Sequence, residues 1–355
     1  MPIFVESFDS YNGLGTGTGL LSRWFNDAEP QSARQALVSG RFAGQAYSGG
    51  AGNGSTVHGT TCLIQDYNGN NFDVTTGFSM HVALRPKSIT ANGTECGLVF
   101  CTSAGVGQLG IQYHNNSWRL VRWGAVVGGS PAAILFTSAP DYGDLDFRSF
   151  AIKGVIHGSA GSVALRIDGQ EVYSGSGLNT GTGPVDRISV FQGNIDANAG
   201  IVIDDLVIKD SAAAYLPDLR IDQLSPNADG GTLNWTPSTG ATHYGVVDDS
   251  IVTTADYLSA SNVGDIDLLG FTNMASTPSS IVGLNLVGYA AKTDVAARSW
   301  NLGIKSGATT QNGADLTLAT AAGYYSRSLE TDPNTGVAWT KTAVDAAELQ
   351  PRVAV

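Results

Sequence analysis

Apolar and polar residues alternate along much of the first two hundred residues, with the period of a half-buried β-strand. The stretch GSVALRIDGQEVYSG shows this most clearly. Residues 163–167 carry Val, Leu and Ile at every second position, and Asp168 and Gly169 follow as a turn pair that accepts positive φ. Residues 108–113 and 117–123 alternate in the same way around Asn115 and Asn116. The pattern predicts successive antiparallel hairpins, each with one buried face and one wet face.

The alternation is interrupted once and then resumes. Residues 209–231 lose it and contain Pro217, Pro226 and a glycine pair, which is typical of a connection between domains. Helical patterns are scarce, whereas a parallel sheet would need helical crossovers. We therefore predict an all-β chain of two β-sandwich or jelly-roll domains in tandem. The first domain occupies 1–212, a linker 213–225, and a second sandwich for assembly or interaction 226–355.

Two adjacent carboxylates, Asp204 and Asp205, interrupt the apolar run IVIDDLVIKD. Successive side chains of a strand point to opposite faces, so the two cannot share one pocket unless a bulge intervenes. Simple alternation places positions 201, 203 and 207 on one face and 202, 206 and 208 on the other, which predicts a strand covered on both sides. A buried carboxylate needs hydrogen bonds. We predict that Asp204 or Asp205 is a structural clasp between this strand and a nearby loop or the linker.

The charge balance argues against one class of partner. The 355 residues include 19 Lys and Arg against 31 Asp and Glu, a formal net charge of -12, whereas phosphate binding needs clustered basic side chains. We expect no nucleic-acid partner. The first residues lack the charged and apolar regions of a signal peptide, and no later run approaches the ~20 apolar residues of a membrane span. We expect synthesis in the cytosol and no membrane partner.

Catalytic motifs are missing or out of context. Residues 105–110 read G-x-G-x-x-G but open a strand instead of a helix, which argues against a dinucleotide site. The histidines are scattered without metal spacing. The only acidic run that begins like a glycosidase strand, Glu330 to Asp332, is broken at once by Pro333. We expect no catalytic residues, no cofactor and no enzymatic activity.

Loop carboxylates and aromatic side chains leave two binding interpretations open. Calcium takes oxygen ligands from turn aspartates, and the candidate clusters are Asp141, Asp144 and Asp146, and Asp265 with Asp267. Solvated turns are the alternative. Sugar rings stack on exposed aromatic side chains, and the candidates for glycan contact are Trp24, Tyr113, Trp118 and Trp123. Packing in a core or at a subunit contact is the alternative for each.

The three cysteines are Cys62, Cys96 and Cys101, an odd set without the paired spacing of a zinc site. Reduced thiols within strands are one interpretation. An intermolecular disulfide in an assembled particle is the other.

Several segments occur in an order that resembles a family of phage proteins. In the first domain they are FVESFDSYN, SGRFAGQAYS, FSMHVALRPKS, the run from FAIKGVIHG to DRISVFQ, and the closing IVIDDLVIKD. In the second they are YLPDLRIDQLSPNADGGTLNW, ADYLSASNVGDIDLLGF, VGLNLVGYAAKTDVAARSWNLGIKSG, ETDPNTGVAWT and LQPRVAV. The first domain resembles the concanavalin A-like or laminin G-like jelly roll of tailed-bacteriophage structural proteins, and the second resembles their companion β-sandwich.

The resemblance implies a non-enzymatic structural component of the virion, in the tail, in the neck or collar, or as a capsid decoration. It implies a symmetric homo-oligomer, a trimer or a multiple of it, in contact with other head, neck or tail proteins. The location it implies is the virion, after assembly in the cytoplasm of the host bacterium. The alternative is a lectin-like module that binds host-surface glycan for attachment.

Overall fold

The computed structural model describes residues 3–11, 25–26, 36–42, 44–48, 58–64, 73–87, 95–124, 131–140, 145–193 and 200–355. The chain divides into two compact units. The first runs to Ile221, and the second comprises Asp222–Val355 together with short N-terminal segments that begin at Asp9.

Fifteen strands are described in the first unit. They are β1 (Ile3–Glu6), β2 (Phe25–Asn26), β3 (Ala36–Ser39), β4 (Gln45–Ser48), β5 (His58–Leu63), β6 (Phe78–Pro86), β7 (Glu95–Cys101), β8 (Gly107–His114), β9 (Ser117–Arg122), β10 (Ala133–Thr137), β11 (Arg148–Val155), β12 (Gly161–Ile167), β13 (Gln170–Leu178), β14 (Arg187–Gly193) and β15 (Ile201–Lys209). Sheet A has the order β13-β12-β11-β6-β15-β4-β3, with β1 also on β15, and sheet B has the order β10-β9-β8-β7-β14-β5-β2. The strands pair in antiparallel fashion in both sheets.

The two sheets of the first unit pack face to face around an aromatic core. Phe78 of sheet A meets Phe100 of sheet B with ring centroids 4.7 Å apart, and Phe150 of sheet A meets Trp118 of sheet B at the same distance. These contacts fix which residues of each strand point inward, because side chains alternate along a strand. The unit is therefore a β-sandwich with an inner and an outer face on each sheet.

The hairpin turns follow the predicted residues. Asp168 and Gly169, between β12 and β13, have φ values of 49° and 80°, and Asn115 and Asn116, between β8 and β9, have 46° and 61°. Two consecutive residues with positive φ form the turn whose twist matches that of antiparallel strands. The predicted all-β fold of antiparallel sandwiches is confirmed.

The second unit contains a six-stranded sheet and two pairs of strands. Its elements are β16 (Pro226–Leu233), β17 (Thr236–Pro237), β18 (Leu258–Ser259), β19 (Asp267–Phe271), β20 (Leu284–Ala290), β21 (Ser299–Ser306), β22 (Thr309–Gln311), β23 (Leu316–Thr317), β24 (Gly323–Leu329), α1 (Lys341–Asp345) and β25 (Glu348–Val353). The large sheet has the order β16-β19-β25-β21-β22, with β23 on β21, and β20 pairs with β24. Its core gathers Trp300, Leu302 and Ile304 of β21 with Trp339 and Val344.

The predicted linker, 213–225, is divided between the units. Residues up to Ile221 belong to the first unit, and the second resumes at Asp222. We call residues 210–221 the connector. The connector lacks strand structure, as its proline and lost alternation predict, but it is held against sheet A by polar contacts described below.

Candidate functional site

The two carboxylates of IVIDDLVIKD lie at a bulge in β15. The register of β15 on β6 shifts between Asp204 and Val207, and Asp205 has a φ of 51°. The extra residue changes the alternation, so Ile208 pairs with Met80 on the inner face while Val207 pairs with His81 on the outer face. The simple alternation predicted for positions 206–208 is therefore wrong. Both carboxylates make their contacts on the outer face of sheet A.

Each carboxylate accepts backbone hydrogen bonds from a different segment. Asp204 Oδ2 accepts from the N–H of Arg41 (2.7 Å), in the turn between β3 and β4, and its Oδ1 accepts from the N–H of Asp205 (2.9 Å). Asp205 Oδ1 accepts from the N–H of Ile221 (2.8 Å), the last residue of the connector. One aspartate thus bonds to a loop and its neighbour bonds to the connector.

Arg41 and Asp218 add an ion pair over the same bulge. The guanidinium donates two parallel hydrogen bonds to the Asp218 carboxylate, at 2.7 and 2.9 Å. This planar fork is the geometry in which arginine binds a carboxylate most strongly. The Arg41 Nη1 atom also lies 4.0 Å from Asp205 Oδ2. The connector is therefore joined to the β3–β4 turn as well as to β15.

His81 lies at the centre of this cluster and is fully buried. Its Nδ1 donates to the carbonyl oxygen of Asp205 at 3.0 Å. Its Nε2 faces Ser149 Oγ at 3.1 Å, Asp218 Oδ1 at 3.2 Å and the N–H of Leu219 at 3.2 Å. In a catalytic triad the serine and the aspartate bind opposite ring nitrogens. Here both bind the same nitrogen and the serine is buried, so this cluster has the geometry of an anchor.

Burial raises the pKa of one aspartate of this cluster, and polar contacts lower the pKa of another. Burial raises the pKa of Asp204 to about 6, and the hydrogen bonds from Arg41 and Asp205 only partly offset it. For Asp218, the hydrogen bond with His81 is the largest cause of a pKa well below the usual range, and Arg41 acts in the same direction against partial burial. Asp218 is therefore the firmly ionised member of the cluster.

Tyr215 extends the contact of the connector along sheet A. The Arg166 guanidinium lies over its ring, 4.1 Å from the centroid, and Lys153 Nζ lies at 4.9 Å. The phenolic O–H donates to Glu171 Oε2 at 2.9 Å. A cation over an aromatic face is attracted by the ring quadrupole. The connector is thus attached at both its middle and its end.

The aromatic residues predicted to contact glycan are buried. The rings of Tyr113 and Trp118 pack at a tilt in the inner core with centroids 4.9 Å apart, and Trp123 packs edge-on against Phe191 at 4.8 Å on the outer face of sheet B. Tyr113, Trp118 and Trp123 are each at most 1% exposed, so stacking of these rings on a sugar is ruled out and packing is their role. Trp24 lies outside the described residues.

The outer face of sheet B also carries three polar side chains in neighbouring positions. Gln112 of β8 pairs with Arg119 of β9, and His114 follows Gln112 by two positions on the same face. Gln112 is fully buried, while His114 and Arg119 are half-buried. Burial and the charge of Arg119 lower the pKa of His114.

The calcium interpretation fails for the clusters that can be assessed. Asp267 is fully buried, and its carboxylate accepts from the N–H groups of Asn234 and Trp235 and contacts His243 Nδ1 at 2.6 Å. Both oxygens of Asp267 are occupied by these contacts, so Asp267 does not bind calcium together with Asp265. Asp141 and Asp144 lie outside the described residues, and Asp146 is exposed. Within the described ranges, no three His, Cys, Asp or Glu side chains gather as a metal site.

Cys96 and Cys101 are buried on β7, and Cys62 lies on β5. Among the described helices, none has the length and apolar character needed to cross a bilayer.

No protein family and no curated protein matches the chain. Solved structures are similar at low identity. A sialidase has 11% identity over 60% of this chain and 19% of its own, with a TM-score of 0.39. A carbohydrate esterase from Shiga toxin-encoding bacteriophage phi24B has 15% identity over 58% and 98%, with a TM-score of 0.37. The CBM2 module of the evolved Dit of Lactobacillus casei BL23 phage J-1 has 16% identity over 61% and 99%, with a TM-score of 0.36. Similarity at this level assigns none of the activities named for those structures to this chain.

The prediction that the chain is not an enzyme is corrected by these structures. Most of them are named as enzymes, including a sialidase, the phage esterase, a fungal glucuronan lyase and a bacterial glucanase. Neither the missing motifs nor the resemblance to phage structural proteins, from which the absence of activity was predicted, is therefore a ground for excluding catalysis. Two of the similar structures come from phages.

Proposed function

We propose that the protein is a component of a tailed-bacteriophage particle, in the tail, the neck or collar, or on the capsid surface. It acts there as a symmetric assembly of copies of itself, a trimer or a multiple of it, in contact with other head, neck or tail proteins. The order of its segments, which resembles that of phage particle proteins, supports this proposal.

The structural observation that supports the proposal is the set of contacts that hold the connector on sheet A. Modules that sample many positions are joined by flexible, polar linkers rich in glycine and serine. Here Asp218 is bound by Arg41, and the N–H of Ile221 by Asp205, up to the residue at which the second unit begins. These contacts hold residues 218–221 of the connector on sheet A of the first unit. A fixed connector suits a part that must keep its place in an assembly.

Immunoelectron microscopy of the particle tests the proposal. Gold-labelled antibodies against the purified chain are applied to intact particles from the phage that encodes it, with a major capsid antibody as the positive control. Labelling confined to one part of the particle, together with trimers or larger rings of the purified chain in mass photometry, is the expected result. Unlabelled particles and a strictly monomeric chain would refute it.

A further inference from the structure

One ring nitrogen of His81 faces two groups that it cannot bind at the same time. His81 lies on β6, is fully buried and contacts the connector. Its Nε2 lies 3.2 Å from Oδ1 of Asp218 and 3.2 Å from the backbone nitrogen of Leu219. An ionised carboxylate only accepts hydrogen bonds, and a backbone N–H only donates them. Nε2 therefore binds Asp218 when it carries a proton and Leu219 when it does not.

The other ring nitrogen has the same role in both charge states. Nδ1 lies 3.0 Å from the carbonyl oxygen of Asp205, which accepts hydrogen bonds and never donates them. Nδ1 therefore keeps its hydrogen, and the proton that the ring gains or loses is the one on Nε2. Ser149 Oγ, 3.1 Å from Nε2, can either donate or accept, so it fits both states. The conflict at Nε2 is thus between Asp218 and Leu219 alone.

The charged side chains on the elements packed against His81 and on their turns are mostly carboxylates. They are Asp204 and Asp205 of β15, Asp218 of the connector, Asp168 of the β12–β13 turn, Arg41 of the β3–β4 turn and Lys153 of β11. An imidazolium at this position therefore meets more opposite than like charge. Asp218 stays ionised, because its hydrogen bonds with His81 and with Arg41 hold its pKa well below the usual range.

The two charge states of the ring hold the connector by different groups. Asp218 keeps its two hydrogen bonds from Arg41 in either state. The N–H of Leu219 is half-buried and has no second acceptor among the described residues, so it depends on Nε2. The Asp218 side chain is 55% exposed, so a proton from solvent reaches the buried ring without unfolding of the sandwich. Protonation therefore releases a backbone contact and adds an ion pair at the preceding residue.

We propose that His81 is a proton-dependent contact of the connector: the neutral ring binds the N–H of Leu219, and the protonated ring releases it and binds the Asp218 carboxylate. The proton comes from solvent and adds to the lone pair of Nε2, and no covalent bond of the chain backbone changes. The connector stays on sheet A in both states, because Arg41 and Asp205 keep their contacts with it. The backbone at Leu219 is the part that responds to pH.

Hydrogen exchange of single amides tests this proposal, measured by nuclear magnetic resonance on the full chain from about pH 8 to about pH 5. Each rate is divided by the intrinsic rate at the same pH, so the ratio reports protection alone. The amide of Ile221 is the internal control, because its acceptor is Asp205 and not the ring. We expect the protection of Leu219 to fall about fivefold or more as the pH falls, since the amide loses its acceptor. Ile221 should stay within about twofold.

Three variants separate His81 from the acids around it. His81→Gln leaves no group at this position that titrates, so the protection of Leu219 should no longer depend on pH. Asp218→Asn keeps an oxygen for Arg41 but removes the anionic acceptor, so the fall in protection should move to lower pH. Asp204→Asn is the matched control. Burial raises the pKa of Asp204 to about 6, so it titrates in the same range, but it does not contact Leu219, and the fall should persist without it.

The nitrogen spectra of the five histidines give a readout that needs no variant. One histidine should carry its hydrogen on Nδ1 in the neutral form, and its titration should have the same midpoint as the fall in protection of Leu219. This measurement stands even where His81→Gln does not fold.

Four results would overturn the proposal. They are a protection of Leu219 that does not change with pH, an equal loss of protection at Leu219 and Ile221, a pH dependence that disappears in Asp204→Asn, and the absence of a histidine whose titration matches the change at Leu219. The second result would show that the connector detaches as a whole. None of these results bears on whether the chain is part of a phage particle, so the two proposals fail independently.

Discussion

Replacing Asp205 with alanine tests the attachment of the connector at its most specific contact. Asp205 is buried, has a φ of 51° and accepts the N–H of Ile221 at 2.8 Å. Alanine removes the carboxylate that accepts the Ile221 N–H. It is also strained at positive φ, a backbone conformation that aspartate and asparagine adopt more readily. Both effects act on the junction of β15 and the connector. The substitution should therefore free the connector from sheet A well before the sandwich itself unfolds.

The magnitude follows from these two effects. Leaving the partly buried Ile221 N–H without its acceptor costs about 1–3 kcal/mol, and an alanine with positive φ costs about 1 kcal/mol. The sum, about 2–4 kcal/mol, corresponds to a fall of roughly 30- to 700-fold in protection of the connector. Asp205→Asn keeps an oxygen acceptor and tolerates the backbone conformation, so it should cost under about 1 kcal/mol. Asp205→Gly should fall between the two, because it relieves only the backbone strain.

Amide hydrogen exchange measured by mass spectrometry is the assay, since it reports local opening peptide by peptide. Peptides that span β15 and the connector should exchange faster in Asp205→Ala, while peptides of β8 and β9 should not change. Equal protection of the connector in the alanine and asparagine variants would show that the Asp205 carboxylate does not hold the connector on sheet A. So would a loss of protection spread evenly over the first unit.

Three further predictions concern the same unit. The pKa of Asp204, raised by burial to about 6, lies above its unfolded value, so its stabilisation is present at low pH and is lost as pH rises through 6. Denaturant titrations should show the stability of the unmodified chain, relative to Asp204→Asn, falling by on the order of 2–3 kcal/mol between pH 4 and pH 7. Tyr215→Leu removes the ring beneath Arg166 and should cost about 0.5–2 kcal/mol in connector protection, whereas Tyr215→Phe should cost less. Trp118→Ala should cost about 3–5 kcal/mol in thermal unfolding, because the ring fills the core against Phe150; a cost below about 1 kcal/mol would contradict its burial.

The hairpins of the first unit could be predicted because their signals are local. Asp168 and Gly169 adopt positive φ as their residue types allow, and the alternation of residues 163–167 has the period of the strand it forms. Neither signal depends on any distant part of the chain. The type of turn and the positions of the inward-facing residues in these hairpins can therefore be predicted from the sequence alone.

The bulge in β15 could not be predicted from alternation alone. Adjacent aspartates in an apolar run are compatible with a regular strand, and the choice depends on partners that are distant in sequence. Here the partners are the N–H of Arg41, 163 residues away from Asp204, and that of Ile221. The tertiary contacts determine the local backbone, so the side chains of positions 206–208 exchange faces.

The anchor around His81 was missed for the same reason. Ser149 and Asp218, which contact its ring, are 68 and 137 residues away in sequence, and none of the three belongs to a recognisable motif. The exposure of the aromatic rings could not be predicted from the sequence either. Alternation assigns Trp118 to one face of the sheet and Trp123 to the other, but it does not reveal that both faces are covered there.

The sequence does contain a signal for the proximity of the three polar side chains on the outer face of sheet B. In the hairpin formed by β8 and β9, Gln112, His114 and Arg119 fall on one face by alternation around Asn115 and Asn116. The pattern predicts their proximity, as cross-strand pairs do generally. It does not predict that the Gln112 amide is buried without a partner among the described residues, because burial depends on tertiary packing.

Quantitative mass spectrometry of purified particles tests the central proposal most directly. Intact particles are purified on density gradients, and peptides of this chain are counted against a major capsid protein of known copy number. We expect the chain to stay with the particle through successive gradients at a constant ratio, in a copy number that is a multiple of three. A ratio that falls with each gradient toward less than one copy per particle would contradict it.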